Sequence, residues 1–288
     1  PRMPRAENVV VGHPEATAAL ECGLLVLAGQ IAGLSIAELI GGRQRSKIPL
    51  SFSVANPDFD RDLDDIAALW ADGVRIFKLK TGFGGHAFDI KRLERLRALY
   101  GDEASLRIDY NQGLPAYDAV RQIRDLEPFR PTFVEQPVKR HERDALAAIT
   151  RAVDVPIMAD EAVFDAREAL LAARDRIADI FSLKTAKAGG IRRALEVAAI
   201  ARAAGIEVYG GCMFETSIAH AAGTHLMAAV PDLTLGCEFY MSTYYAAEDI
   251  CCEPFPVMAG HVVVPTAPGL GVVPNPDKLT RYRTAIFK

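Results

Sequence analysis

The chain has 288 residues, half of them hydrophobic and 24% charged, with a formal net charge of −4, the composition of an ordinary globular protein. That excludes a disordered, collagen-like or low-complexity chain, and the lack of any Lys/Arg block argues against a nucleic-acid partner. The longest uninterrupted apolar stretch, residues 24–28, falls far short of the roughly 18 residues of a membrane span.

Taken in chain order, residues 13–32 predict a helix that is apolar almost all round and so needs partners on several sides. Ser35 and Glu38 have the spacing of a capping box and predict a short helix, stopped by Gly41 and Gly42. From Ile48 onward, short apolar runs alternate with amphipathic stretches. The runs end at residues 54, 80, 109, 135, 160, 184, 210 and 238, about 26 residues apart on average. The stretches between them, residues 60–71, 87–100, 116–126, 140–151, 166–174, 191–204 and 216–229, predict helices. Repeated βα units with short loops imply a parallel sheet, and eight strands at this spacing predict a closed α/β barrel of the TIM type. The competing open, doubly wound sheet would carry G-x-G-x-x-G after its first strand, where the chain reads SFSVANPDFD. The Pro-rich tail after residue 245 leaves the repeat and predicts a hairpin with arms at 261–264 and 271–273. The five cysteines, Cys22, Cys212, Cys237, Cys251 and Cys252, are odd in number and contain no C-x-x-C pair. They read as free thiols of a cytoplasmic protein, and no signal or transit peptide opens the chain.

In such a barrel the chemistry lies at the C-terminal ends of the strands. Five successive runs end in a charge: Lys80, Asp109, Glu135, Asp160 and Lys184. Asp109, Glu135 and Asp160 stand one repeat apart and should converge. Three carboxylates in one partly buried place repel unless neutralised, which a hard divalent cation, Mg²⁺ or Mn²⁺, would do. The alternative is that each pairs separately with a basic side chain at the rim. Lys78 and Lys80 share a strand face, so their ammonium groups should lower the pKa of one and make it a usable base. Lys184 reaches in from the sixth repeat strand, across the barrel. The implied reaction class is proton transfer at a carbon next to a carboxylate, with the metal and ammonium groups stabilising the enediolate.

The segments KLK at 78–80, DYNQ at 109–112, VEQP at 134–137, MADE at 158–161, SLK at 182–184 with Lys187 and GG at 189–190, YGG at 209–211 and PGLG at 268–271 together resemble the enolase superfamily. Within it they are similar to the muconate-lactonizing subgroup, from about residue 15 to about residue 280. The resemblance implies a modified (β/α)7β barrel over residues 49–245. It implies that residues 1–48 are the C-terminal part of an α+β capping domain, the rest of which this chain is too short to hold, with residues 246–288 packing back on it. It further implies Mg²⁺ on Asp109, Glu135 and Asp160, Lys80 as the base at the substrate α-carbon with Lys78 tuning it, and Lys184 acting from the opposite face. Glu215 would lie near a substrate carboxylate, with Asn111, Asp154, Glu161 and Lys187 in supporting positions. The implied reaction is conversion of cis,cis-muconate to muconolactone, by a homo-oligomer, with octamers common in the subgroup.

Several positions depart from the muconate pattern: Tyr110, Thr185, Ala188, the Cys212–Thr216 loop and the segment from Glu238 to Met241. Racemases, epimerases and hydroxyproline-type dehydratases of the subgroup share the catalytic residues and differ in pocket lining. A dipeptide epimerase is disfavoured, because the eighth run lacks Asp-x-Asp. Rivals from other classes are a Schiff-base aldolase using Lys184, a phosphate-binding barrel using Gly189–Gly190 and Gly210–Gly211, and a non-catalytic scaffold.

Overall fold

Period-two alternation decides what each strand contributes. In the computed structural model, which describes residues 12–284, strand β3 (Ile76–Lys80) buries Phe77 and Leu79 completely against the outer helices. Its Lys78 and Lys80 therefore point into the barrel. Residues 1–11 of the first predicted segment and residues 285–288 of the tail lie outside the described residues.

The first two helices are α1 (Pro14–Ala32) and α2 (Ile36–Leu39), the latter started by the reciprocal Ser35–Glu38 capping box. Two short strands follow, β1 (Lys47–Pro49) and β2 (Ser51–Val54), then helix α3 (Phe59–Ala71), capped by Asp58. After β3 the units continue as α4 (His86–Tyr100), β4 (Ser105–Asp109), α5 (Ala116–Leu126), β5 (Val134–Glu135), α6 (Arg143–Ala152), β6 (Ile157–Ala159) and α7 (Ala166–Asp175). They end with β7 (Ile180–Leu183), a single turn α8 (Thr185–Ala188), α9 (Ile191–Ala203), β8 (Glu207–Gly210) and α10 (Ser217–Ala229). Strands β2 to β8 form one parallel sheet in sequence order. Helix α6 begins three residues later than its pattern predicts, because residues 139–142 form a turn closed by Glu142 N–H on the Lys139 carbonyl.

The eighth predicted run, residues 233–238, does not form a regular strand. It closes the ring through two single bridges, Cys237 pairing with Leu50 on one side and with Gly210 on the other. Ser51 N–H donates to the Cys237 carbonyl at 2.7 Å, and Glu238 N–H donates to the Gly210 carbonyl at 2.9 Å. The α/β barrel is thus seven strands and a closing segment. Inside it, Phe133, Met158, Ile180 and Tyr209 form an apolar layer separate from the main core between sheet and helices. Each such fully buried side chain contributes about 1.5–3 kcal/mol. Arg107 lies in this layer beside the edge-on pair Phe133 and Tyr209, its charge 5.0 and 4.8 Å from the two ring centroids.

The tail hairpin differs from its prediction. Its arms are β9 (Val257–Met258) and β10 (His261–Val263), with Ala259 and Gly260, both at positive φ, making the turn. β10 pairs antiparallel with β1. Residues 271–273 are not part of it. The partner strand lies more than 200 residues away, so no local pattern could signal it.

Helix α1 also corrects the sequence reading. It has nineteen residues and a mean hydropathy of 1.3, so by length and composition it could cross a membrane. Isolated polar residues interrupt its apolar runs without breaking the helix. Only its Thr17–Glu21–Gly29 side is buried, seated on the barrel helices. There Glu21 accepts from Arg192 through both the backbone N–H (3.3 Å) and Nε (2.8 Å) at the start of α9. Gly190 makes this possible: a Cβ there would meet the Glu21 carboxylate oxygen at 2.1 Å. The helix N-terminus that the phosphate-binding alternative needs is therefore occupied by the protein's own carboxylate.

Candidate active site

Strand register places the polar ends level with one another. Lys80 pairs with Asp109, and Asp109 with Glu135, across β3, β4 and β5. Asp160 follows β6, and Lys184 follows β7 as the N-cap residue of α8. In a ring of eight positions β3 and β7 are four apart, so Lys80 and Lys184 face each other. Both line a cavity of about 590 Å³ at this end of the barrel, together with Asn111, Asp160, Glu161 and Lys187. Its apolar walls come from Phe83, Phe164, Met213 and Phe214, and from Tyr240, Met241 and Tyr245 around one turn of π-helix at Met241–Tyr245.

The carboxylates and lysines are interleaved. Lys78 donates to Glu135 at 2.9 Å and lies 2.5 Å from Glu238 and 3.4 Å from Asp109. Lys80 donates to Asp109 Oδ2 at 2.5 Å and to Asn111 Oδ1 at 2.9 Å. Lys184 donates to Asp160 Oδ2 at 2.6 Å. Lys187 donates to Asp160 Oδ1 and to the carbonyls of Asp160 and Ser182, so its three protons are all used. Apart from Asn111 and from Lys80, whose side chain is 31% exposed, these groups are buried.

For Lys78 this overturns the lowering expected from a neighbouring lysine. Burial pulls Lys78 down, but Glu135, Glu238 and Asp109 outweigh it and hold its ammonium well above the ordinary lysine range. Burial likewise pulls on Lys184, and Asp160, Glu135 and Glu238 raise it well above that range. A Schiff-base nucleophile must be a neutral amine, which counts against the aldolase alternative. Burial would raise Asp160, yet Lys187 and Lys184 hold it far below the usual carboxylate range. Glu135 is pushed up to about 8, first by burial and then by Asp109. Burial and Asp160 also raise Glu161.

Two residues passed over at the sequence level belong to this cluster. Glu238, last residue of the eighth run, accepts from Cys212 N–H at 3.1 Å as well as pairing with Lys78. Its position in the same strand-end series as the other charges was the available signal. Gln136 takes a left-handed backbone (φ 34°), and its Oε1 accepts from the N–H groups of Asp160 and Ala162. It thereby ties the end of β5 to the end of β6 and fixes Asp160 relative to Glu135. Asn111 and Gln112, also at positive φ, follow Asp109. Such strain persists only where surrounding structure enforces it.

Other predicted residues are placed differently. Asp154 is exposed and precedes β6, at the opposite end of the barrel from the cluster, so it has no part in this site. Glu215 lies beyond β8 but does not line the cavity. Its carboxylate is near Cys212 and His220 instead.

The paired glycines after β8 serve packing. A Cβ on Gly211 would meet Ser182 Oγ at 2.3 Å and Lys184 Cε at 2.7 Å. We expect Gly211→Ala to fold but to displace Lys184, lowering turnover by about 100-fold. Steady-state kinetics beside a thermal melt would check this, and unchanged kcat would show that Lys184 tolerates the displacement.

The comparisons agree with this geometry. Residues 62–278 match the family described as enolase C-terminal domain-like. The chain is 37% identical to a chloromuconate cycloisomerase of Cupriavidus necator over 280 residues, covering 97% of this chain and 75% of that protein. It is 34% identical to muconate cycloisomerase 1 of Pseudomonas putida, again covering 97% and 75%. Among solved structures, a muconate cycloisomerase from Azorhizobium caulinodans superposes with a TM-score of 0.90 at 46% identity, covering 97% and 78%. The muconate lactonizing enzyme of Pseudomonas fluorescens, complexed with muconolactone, superposes with a TM-score of 0.94 at 35% identity, covering 98% and 76%. Barrel, strand-end cluster and relatives agree: the chain belongs to the enolase superfamily, in its muconate-lactonizing subgroup.

Proposed function

We propose that this protein is a muconate cycloisomerase-type isomerase that interconverts cis,cis-muconate and muconolactone. The observation that carries this reading is the pair Lys80 and Lys184 facing each other across one cavity, beside three buried carboxylates. Substrate names in the relatives point the same way.

The residues fit a divalent cation. Five carboxyl groups, Asp109, Glu135, Asp160, Glu161 and Glu238, meet only four lysines, at 78, 80, 184 and 187. Glu135 Oε1 is buried with no partner, and its proton affinity is raised by burial and then by Asp109. Asp109, Glu135 and Asp160 would hold the ion, and their all-oxygen set suits Mg²⁺, with Mn²⁺ as substitute. When bound, it supplies positive charge where a substrate carboxylate becomes enolate-like.

The chain's own groups do the rest. The cavity walls orient the six-carbon diacid so that an oxygen of one carboxylate adds to the far double bond, the one conjugated with the other carboxylate, which becomes the enolate. Lys80, the exposed member of the cluster, delivers a proton to the resulting enolate carbon and regains one from solvent. Lys184 holds a fixed positive charge over the opposite face. Lys78 holds Asp109, Glu135 and Glu238 in place beneath them. The five free cysteines suit a reducing cytoplasm.

In D₂O, cis,cis-muconate should give muconolactone carrying one solvent deuterium at the α-carbon, followed by loss of diene absorbance and by NMR. Neither lactone formation nor exchange into added muconolactone, with metal present, would refute the assignment.

A further inference from the structure

A second cluster of donor atoms lies beside the cavity and takes no part in the chemistry above. Cys212, Glu215 and His220 each bring one ligand atom to within 4.8 Å of the others. The set is sulfur, oxygen and imidazole nitrogen, unlike the all-oxygen carboxylate cluster. Cys212 and Glu215 belong to the segment after β8, and His220 to the first turn of α10.

His220 is completely buried. Its Nδ1 is bonded to Ser242 Oγ at 2.8 Å, while Nε2 is buried with no partner of its own. A buried, unpartnered ring nitrogen costs desolvation energy that a ligand would recover. A ring oriented through one nitrogen and open at the other is the usual arrangement of a metal-binding histidine. Burial also lowers its pKa to about 4, so the imidazole is neutral and able to coordinate. Glu215 is raised to about 7 mainly by burial, which outweighs the backbone N–H of Met213 and the charge of Lys184.

We propose that Cys212, Glu215 and His220 Nε2 form a binding site for a borderline-soft divalent metal, Zn²⁺ in the first instance. Tetrahedral zinc with three protein ligands leaves a fourth position open, and Cys212 lines the cavity, so that position faces the substrate side. Binding requires the ligand atoms to close in from their present separations. Between the ligands, Met213 and Phe214 are 51% and 88% exposed, so the segment can give there while Cys212 N–H stays on Glu238. Burial, with Glu238 and Glu215 beside it, holds the Cys212 thiol well above the ordinary cysteine range, so the metal must displace its proton to solvent as Sγ releases the Glu238 carbonyl it now contacts at 3.0 Å. Thiolate and imidazole select zinc or cobalt over magnesium, so the two sites discriminate between metals by ligand softness.

The test is a titration of the full chain with Co²⁺ as optical probe, in saturating Mg²⁺ and under reducing, oxygen-free conditions. One equivalent should produce a thiolate-to-cobalt charge-transfer band with tetrahedral visible bands, and Zn²⁺ should bleach both. Cys252→Ser, which removes the exposed thiol, should keep the band, and Cys212→Ser should lose it. Glu215→Gln retains the thiol and should weaken cobalt binding by about tenfold or more. No band in the native protein, or a band that survives Cys212→Ser, would overturn the proposal. Should Cys212→Ser fail to fold, an unchanged cobalt affinity in Glu215→Gln would overturn it equally.

Discussion

Replacing Lys80 with alanine should reduce exchange of the substrate α-proton by about 10²- to 10⁴-fold, the contribution of a positioned acid–base group. Metal binding should persist. Asp109 loses one partner but keeps Lys78 at 3.4 Å and the Asn111 N–H at 2.8 Å, so its carboxylate remains held. The Lys80 side chain is 31% exposed, and its loss should cost stability no more than about 1 kcal/mol. Deuterium incorporation into muconolactone, measured beside a Mg²⁺ titration, separates the two effects. Full exchange in Lys80→Ala would remove this residue from the reaction and leave Lys184 as the candidate acid–base group.

The second large effect should come from Asp160→Asn. The native carboxylate is shared between Lys184 at 2.6 Å and Lys187 at 2.9 Å, all three groups being nearly inaccessible to solvent. Asparagine keeps the shape and removes the charge, stranding two buried cations. Breaking a buried pair in this way costs about 3–5 kcal/mol, which for a chain of this size lowers Tm by roughly 10 °C. If Asp160 is one of the three residues that hold the metal, Mg²⁺ affinity should fall by at least the roughly 10–100-fold that accompanies loss of an outer partner of a ligand. Calorimetric titration below the lowered Tm checks this. An unchanged affinity would exclude Asp160 from the ligand set, whereas an unchanged Tm would mean that the two lysines find other partners.

Much of this site was legible in the residues. The strand ends at Lys80, Asp109, Glu135, Asp160 and Lys184 could be read because a repeating βα unit puts chemically equivalent positions at regular intervals. Glu238 obeys the same rule, but uncharged Gly210 separates it from the five successive charged ends, and it reads in the sequence only as a departure from the family pattern. The charge state of Lys78 differs from its sequence expectation for a different reason. From spacing, Lys78 and Lys80 are each other's nearest charges. In the folded chain the nearest charges of Lys78 are Glu238, Glu135 and Asp109, contributed by three other strand ends. Charge state depends on distances across the barrel, which sequence separation does not encode.

The sequence by itself determined the local geometry: which stretches become helices, which side of each strand faces inward, and which strand ends carry charge. Those follow from periodicity and capping, interactions spanning only a few residues. Tertiary structure alone decided the closure of the barrel through Cys237, the pairing of β10 with β1, and the docking of apolar α1 through the buried Glu21. It also brought Cys212, Glu215 and His220 together beside the cavity, with Cys212 in contact with Glu238. Each of these is a contact whose energy depends on burial and on partners distant in the chain, and so exists only once the chain has folded.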